Sequence, residues 1–129
     1  MILAGRRQMR PWLLLTYAAA SLLHFAHNAE YLAEYPNLPH WLSPAWIYLA
    51  WLGISFIGVI GYFLLRRGLA VAGLALMIVY TALGFDGLLH YGRAPMSVHT
   101  AGMNMTIWIE VAAASAALSQ VLLRIRRCV

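Results

Sequence analysis

Asp86, His90, His99 and Glu110 fall within one stretch of twenty-five residues, beside and inside long apolar runs, and His24, His27 and Asn28 interrupt another such run. In helical register His24, His27, Asn28 and Tyr31 recur at i, i+3, i+4 and i+7, so they share one face, with Glu30 and Glu34 flanking it. Asp86 and His90 are four apart, and His99, Met103, Thr106 and Glu110 recur at i, i+4, i+7 and i+11. Imidazoles and carboxylates are the side chains that ligate transition metals and that accept and return protons near neutral pH. An ionised carboxylate at the centre of a bilayer costs at least about 2.5–3.5 kcal/mol, so polar groups inside apolar runs are candidates for a functional site. The competing account is that they pair with one another and specify helix packing. Four histidines and several acids gathered on one side of three helices favour function.

Helical rise sorts these residues by depth. At about 1.5 Å per residue, His24 lies roughly 18 Å below Pro36, where its helix must end, and Glu110 lies roughly 20 Å below Ser97. His99 and Glu110 are about 16 Å apart along one axis and cannot hold one ion together. Two layers are therefore expected. His27, Asp86, His90 and His99 form an outer one, the expected metal site for copper, zinc or iron. His24 and Glu110 form an inner pair, either a second site or catalytic acid–base partners. Met96, His99 and Met103 raise copper, because thioether and imidazole suit Cu(I), while Met105 points off that face.

Asp86-x-x-x-His90 followed by His99 resembles the Asp-x-x-x-His…His metal-binding motif of a transmembrane subunit of the copper-dependent particulate methane and ammonia monooxygenases. The likeness covers fourteen residues, with eight between His90 and His99. It implies metal ligation by Asp86, His90 and His99, and it does not extend to hydroxylation of an alkane or of ammonia.

Other chemistries compete with the metal reading. A metal-free enzyme acting on a lipid-like substrate would use Glu110 and His24 as acid and base in an apolar pocket. Haem b would sit between two histidines, such as His24 or His27 with His90 or His99, although the neighbouring acids make that less natural. A proton or metal-ion transporter would use the same ladder of groups, but the inner half of the chain offers only scattered Ser, Thr and Tyr as a relay. A structural or assembly subunit of a larger membrane complex is the remaining alternative.

The elements that must position these residues are four apolar segments, at about 11–32, 44–65, 69–89 and 98–123, each long enough to span a bilayer. Pro11 and Pro44 suit opening turns. The connection from Glu34 to Pro44 holds three prolines and cannot continue a helix. Arg66-Arg67-Gly68 and Gly92-Arg93-Ala94-Pro95 read as tight turns. Gly53, Gly58, Gly61, Gly73 and Gly84, with Ser115, Ala116 and Ala117, are small residues that allow helices to approach closely. Trp12, Trp41, Trp46 and Tyr35 read as interfacial anchors. Asn104-Met105-Thr106 matches a glycosylation sequon but lies inside an apolar run and is discounted.

Arg6, Arg7, Arg10, Arg66, Arg67, Arg124, Arg126 and Arg127 fall on one side of such a bundle and only Arg93 on the other. Arginine bias of this kind predicts both termini in the cytoplasm. The expected fold is an all-α, up-down four-helix transmembrane bundle, one integral membrane domain over 1–129. A bacterial inner membrane is the expected location, with the polar site facing its extracytoplasmic side. The first segment begins as a cleaved leader would, yet it runs on through Leu22, Leu23 and Phe25, and its loss would leave an odd number of spans. A retained first helix is expected. The chain is 63% hydrophobic, 10% charged and free of lysine, a composition that excludes a soluble domain. Its net charge of +5 comes from arginines at segment ends, which argues for topology signals and against nucleic acid as a partner. The expected partners are the lipid bilayer and a second copy or a larger membrane complex. Cys128, the sole cysteine, has no internal disulfide partner, does not match a prenylation box and reads as an inert tail thiol.

Overall fold

The computed structural model describes residues 9–126; the features read at Arg6, Arg7, Arg127 and Cys128 lie outside them. The described residues are helical with no strand. Helix α1 runs over Pro11–Glu30, with Pro11 in the first turn, where its missing N–H removes no bond. A single 3₁₀ turn at Leu32–Glu34 follows, and Asn37 takes a left-handed φ of 58°, which asparagine tolerates better than most residues. Helix α2, Pro44–Arg66, starts at Ser43, whose hydroxyl accepts the Trp46 N–H at 3.4 Å. It stops at Arg67, and Gly68 makes the turn at φ 83°, a conformation that glycine alone adopts without strain.

The third apolar segment departs from the sequence expectation of one helix ending near residue 89. Helix α3, Ala70–Leu83, gives way to a 3₁₀ turn at Asp86–Leu88 and then to the short helix α4, Leu89–Arg93. The backbone N–H groups of Gly84, Phe85 and Leu88 each donate three residues back, so the break leaves them paired. The break coincides with a close approach: a Cβ at Gly84 would stand 2.5 Å from both the Ala114 Cβ and the Tyr17 ring. The fourth segment begins later than expected. A 3₁₀ turn covers Met96–Val98, His99 is extended, and α5, Ala101–Ile125, starts where the Thr100 hydroxyl accepts the Met103 N–H at 3.3 Å.

Three helical stretches are long and apolar enough to cross a membrane: Pro44–Arg66, Ala70–Arg93 and Ala101–Ile125. Helix α1 is not among them, because His24, His27, Asn28 and Glu30 crowd its last seven residues. The closest pairings are α2 with α3 and α1 with α5, and α1–α2 and α3–α5 contacts close the arrangement. Tyr17, Met77, Tyr80, Ala114, Ala117 and Val121 form the apolar core, where the Tyr17 hydroxyl donates to the Tyr80 carbonyl at 2.9 Å. The close approaches fall at Gly58 against the Tyr80 ring, at Gly61 against Met77 and at Gly73 against Leu65. Gly53 faces open space, and Ala114 takes the packing role expected of Ser115 and Ala116. Trp12, Trp41 and Trp46 are exposed as anchors should be, whereas Tyr35 is only 4% exposed and turns inward.

Candidate functional site

Glu110, like Thr81, is a polar residue with no solvent exposure. Its side chain is fully buried on α5, and neither carboxyl oxygen has a hydrogen-bond partner. His24 on α1 brings Nε2 to 3.8 Å from Glu110 Oε2, and its Nδ1 lies 3.4 Å from the Thr106 hydroxyl, one turn from Glu110. Ser21, one turn from His24, is also buried, and its hydroxyl is turned toward the Glu110 carboxyl but lies beyond hydrogen-bond distance of it. The inner pair expected from helical rise is thus brought together. What lets the chains approach is Gly87 in the 3₁₀ turn. A Cβ there would lie 3.4 Å from His24 Nε2 and 3.6 Å from Glu110 Oε2.

His24 also lines a cavity of about 170 Å³, whose polar wall continues through Asn28, Asp86 and His90 and whose other wall is Phe25, Leu42, Trp46, Ile47 and Ala50. The His24 and His90 rings are 5.5 Å apart. The Asn28 amide nitrogen is 3.2 Å from His90 Nε2. An amide nitrogen only donates, so the proton of the neutral ring sits on Nδ1, which is buried and unpartnered. Asp86 Oδ1 and Asn28 Oδ1 are buried and unpartnered as well.

The other two expected ligands face elsewhere. His27 Nδ1 is hydrogen-bonded to the Tyr35 hydroxyl at 2.9 Å, and Nε2 presses on α5 where Gly102 leaves room, 2.9 Å from the position a Cβ would take. The Tyr35 ring lies 4.9 Å from that of His90, and burial pushes its phenol up to about 12, with the Thr106 hydroxyl acting in the opposite direction. His99 donates from Nδ1 to the Pro95 carbonyl at 3.0 Å, leaving Nε2 as a buried, unpartnered acceptor 6.2 Å, ring to ring, from His90. Among the described residues no three His, Cys, Asp or Glu side chains form a group that could hold a metal ion. The outer layer of His27, Asp86, His90 and His99 therefore does not converge as expected. His27 is tied to Tyr35, the 3₁₀ turn sets Asp86 beside the cavity, and His99 precedes α5. Met103 is buried but Met96 is exposed, so the sulfur ligands are not gathered either.

Several contributors carried little sequence signal. Tyr35 follows the end of α1 and its direction depends on the loop. Gly87 and Gly102 stand one and three residues from Asp86 and His99, a placement that a search for glycine beside polar residues would have caught. Asn104, the discounted sequon residue, ties the outer loop by accepting from the Tyr91 hydroxyl at 2.8 Å and donating to the Met96 carbonyl at 3.2 Å.

No protein-family model, curated protein or solved structure matches this chain. Its chemistry must be read from its own residues.

Proposed function

We propose that the protein is an integral membrane acid–base catalyst acting on an apolar, lipid-like molecule, with His24 and Glu110 as the proton-transferring pair. The observation that carries this reading is the wholly buried, unpartnered Glu110 carboxyl 3.8 Å from His24 Nε2, beside a cavity that His24 lines. A net charge in such surroundings is costly, so the pair holds one proton, as acid with imidazole or as carboxylate with imidazolium. With Glu110 holding the pair's proton, neutral His24 would turn Nε2 from the carboxyl toward the cavity, take a proton from a carbon or oxygen next to the substrate's polar group, and return a proton to a second atom of the substrate anion so formed. The anion and the imidazolium offset each other until that return, Glu110 would exchange its proton with His24 between turnovers, and no co-reactant is needed. The arginines at 10, 66, 67, 124 and 126 support an up-down bundle with both ends cytoplasmic and the cavity toward the extracytoplasmic side of a bacterial inner membrane.

The test is solvent labelling. Protein in nanodiscs, incubated with a total bacterial lipid extract in deuterium oxide, should add deuterium to one lipid class, read by mass spectrometry. Glu110→Gln and His24→Gln should abolish that gain. No labelling above a protein-free control, or full labelling by Glu110→Gln, would overturn the reading.

A transition-metal site remains the second reading, supported by one observation: His90 Nδ1, His99 Nε2 and Asp86 Oδ1 are all buried without partners. As placed these side chains form no group that could hold a metal, so copper, zinc or iron would require them to turn toward one another and the Asn28 amide to rotate, so that its unpartnered oxygen accepts from His90 Nε2–H and orients the ring. Elemental analysis of protein purified without added metal decides this. Well under one equivalent, with no affinity on titration, would remove it.

A further inference from the structure

A second cavity of about 260 Å³ lies in the same seam between α1 and α2, against Leu14, Ala18, Gly58, Val59, Phe63 and Tyr80. The polar cavity takes its walls from residues 24–28 of α1 and 46–50 of α2, and the apolar one from 11–18 of α1 and 55–63 of α2. The two follow one another along one seam, with Phe25, Ile47, Trp51 and Ile54 packed together where they meet. From His24 to Pro11 is thirteen residues, about 20 Å of helix, or roughly two thirds of a bilayer's hydrocarbon thickness. We propose that this seam binds a single-chain lipid with an uncharged, hydroxyl-bearing head, the head in the cavity of His24, Asn28, Asp86 and His90 and the tail in the apolar groove. The proposal rests on the acid–base reading for its purpose, and the binding it asserts is measured without any reaction.

The head chemistry follows from the residues that line it. His90 and Asp86 both do, His90 Nδ1–H is an unpartnered donor and Asp86 Oδ1 an unpartnered acceptor, both covered by neighbouring atoms, and when the ring and the carboxyl turn toward the cavity a hydroxyl is the small group that accepts from one and donates to the other. No arginine lines either cavity, and the chain has no lysine. Arg93, the one arginine on the outer side, is exposed and donates to the Asn37 carbonyl at 3.3 Å. A phosphate or carboxylate head would meet Asp86, with Glu110 close behind, and find no cation. The tail argument is one of packing. Hydrocarbon already surrounds the groove, so a tail gains little hydrophobic burial there and is held by van der Waals contact alone. Head selectivity must then dominate.

The experiment uses the full chain in nanodiscs and three probes of equal chain length: a long-chain alcohol, the corresponding alkyl phosphate and the alkane, each with a diazirine in its tail. Native mass spectrometry should show the alcohol bound about a hundredfold more tightly than the phosphate, the expected effect of burying an uncompensated charge. Photo-crosslinks should map to α1 residues 11–18 and α2 residues 55–63. Ala18→Trp, which fills the groove, should weaken the alcohol about tenfold. Val59→Trp, at the groove's open edge, serves the same purpose if the first variant does not fold. Equal or tighter binding of the phosphate or the alkane, or crosslinks spread evenly over the lipid-facing helices, would overturn the proposal. Selective binding without deuterium transfer would leave this inference standing and remove the catalytic reading. Transfer by wild-type protein with no alcohol selectivity would do the reverse.

Discussion

Each buried polar residue here has a neighbour that makes its position possible, and substitution of the neighbour tests the arrangement. His27 fits between Tyr35 and α5 because residue 102 is glycine; Gly102→Ala puts a methyl 2.9 Å from His27 Nε2 and should displace the ring from Tyr35. Loss of that hydrogen bond should cost about 1 kcal/mol, seen as a lower melting temperature, and Tyr35→Phe should cost a similar amount. Gly102→Ala added to Tyr35→Phe should then cost less than the sum of the two; strict additivity would argue that the contact contributes nothing. The Tyr35 phenol also predicts an alkaline limb. Its pKa is about 12 in the folded chain against about 10 when exposed, so above pH 10 the unfolded state loses the proton first and stability falls until about pH 12. Tyr35→Phe should flatten the fall over that window, and an unchanged slope would show that the phenol is not held in its buried position.

The elements were legible to different degrees, for reasons that lie in particular residues. Pro11, Pro44 and the proline-rich connection marked where α1 and α2 begin and end, because proline acts on the backbone locally. The interruption of α3 was not legible, because Gly84 and Gly87 at the break are residues a helix can also carry through. It falls where Gly84 packs against Ala114 and Tyr17 of two other helices. Depth along the helices was readable from rise alone, and it paired His24 with Glu110 correctly. Azimuth was not readable, which is why His27 and His99 missed the cavity. Two glycines separate these effects. Gly84→Ala should lower stability by about 1–3 kcal/mol through overpacking against a rigid Cβ and a buried ring. Gly53→Ala meets nothing within 4 Å and should be neutral or stabilising by up to about 1 kcal/mol. Equal effects of the two in thermal unfolding would mean that the helices do not approach at Gly84.

At the scale of the whole molecule, polar chemistry and positive charge sit at opposite ends. The cavity, the histidines and the acids lie toward the outer side of the proposed bundle, and among the described arginines Arg10, Arg66, Arg67, Arg124 and Arg126 lie toward the other. Arginine bias near the ends of short loops orients a helical membrane protein, and on the proposed topology it predicts the turn after α2 inside and the loop before α5 outside. Residues 69 and 97 report on the two ends, since Leu69 and Ser97 are both exposed. With Cys128 replaced by serine, Ser97→Cys should react with a membrane-impermeant maleimide in intact cells, and Leu69→Cys only after lysis. The reverse pattern would put the cavity on the cytoplasmic side. His24 and Glu110 would then exchange protons with the cytoplasm, and the lipid cleft would open toward the outer leaflet instead of the inner one. Labelling of both positions in intact cells would mean that Ala70–Arg93 does not cross the membrane, and the depth argument that pairs His24 with Glu110 would lose its frame.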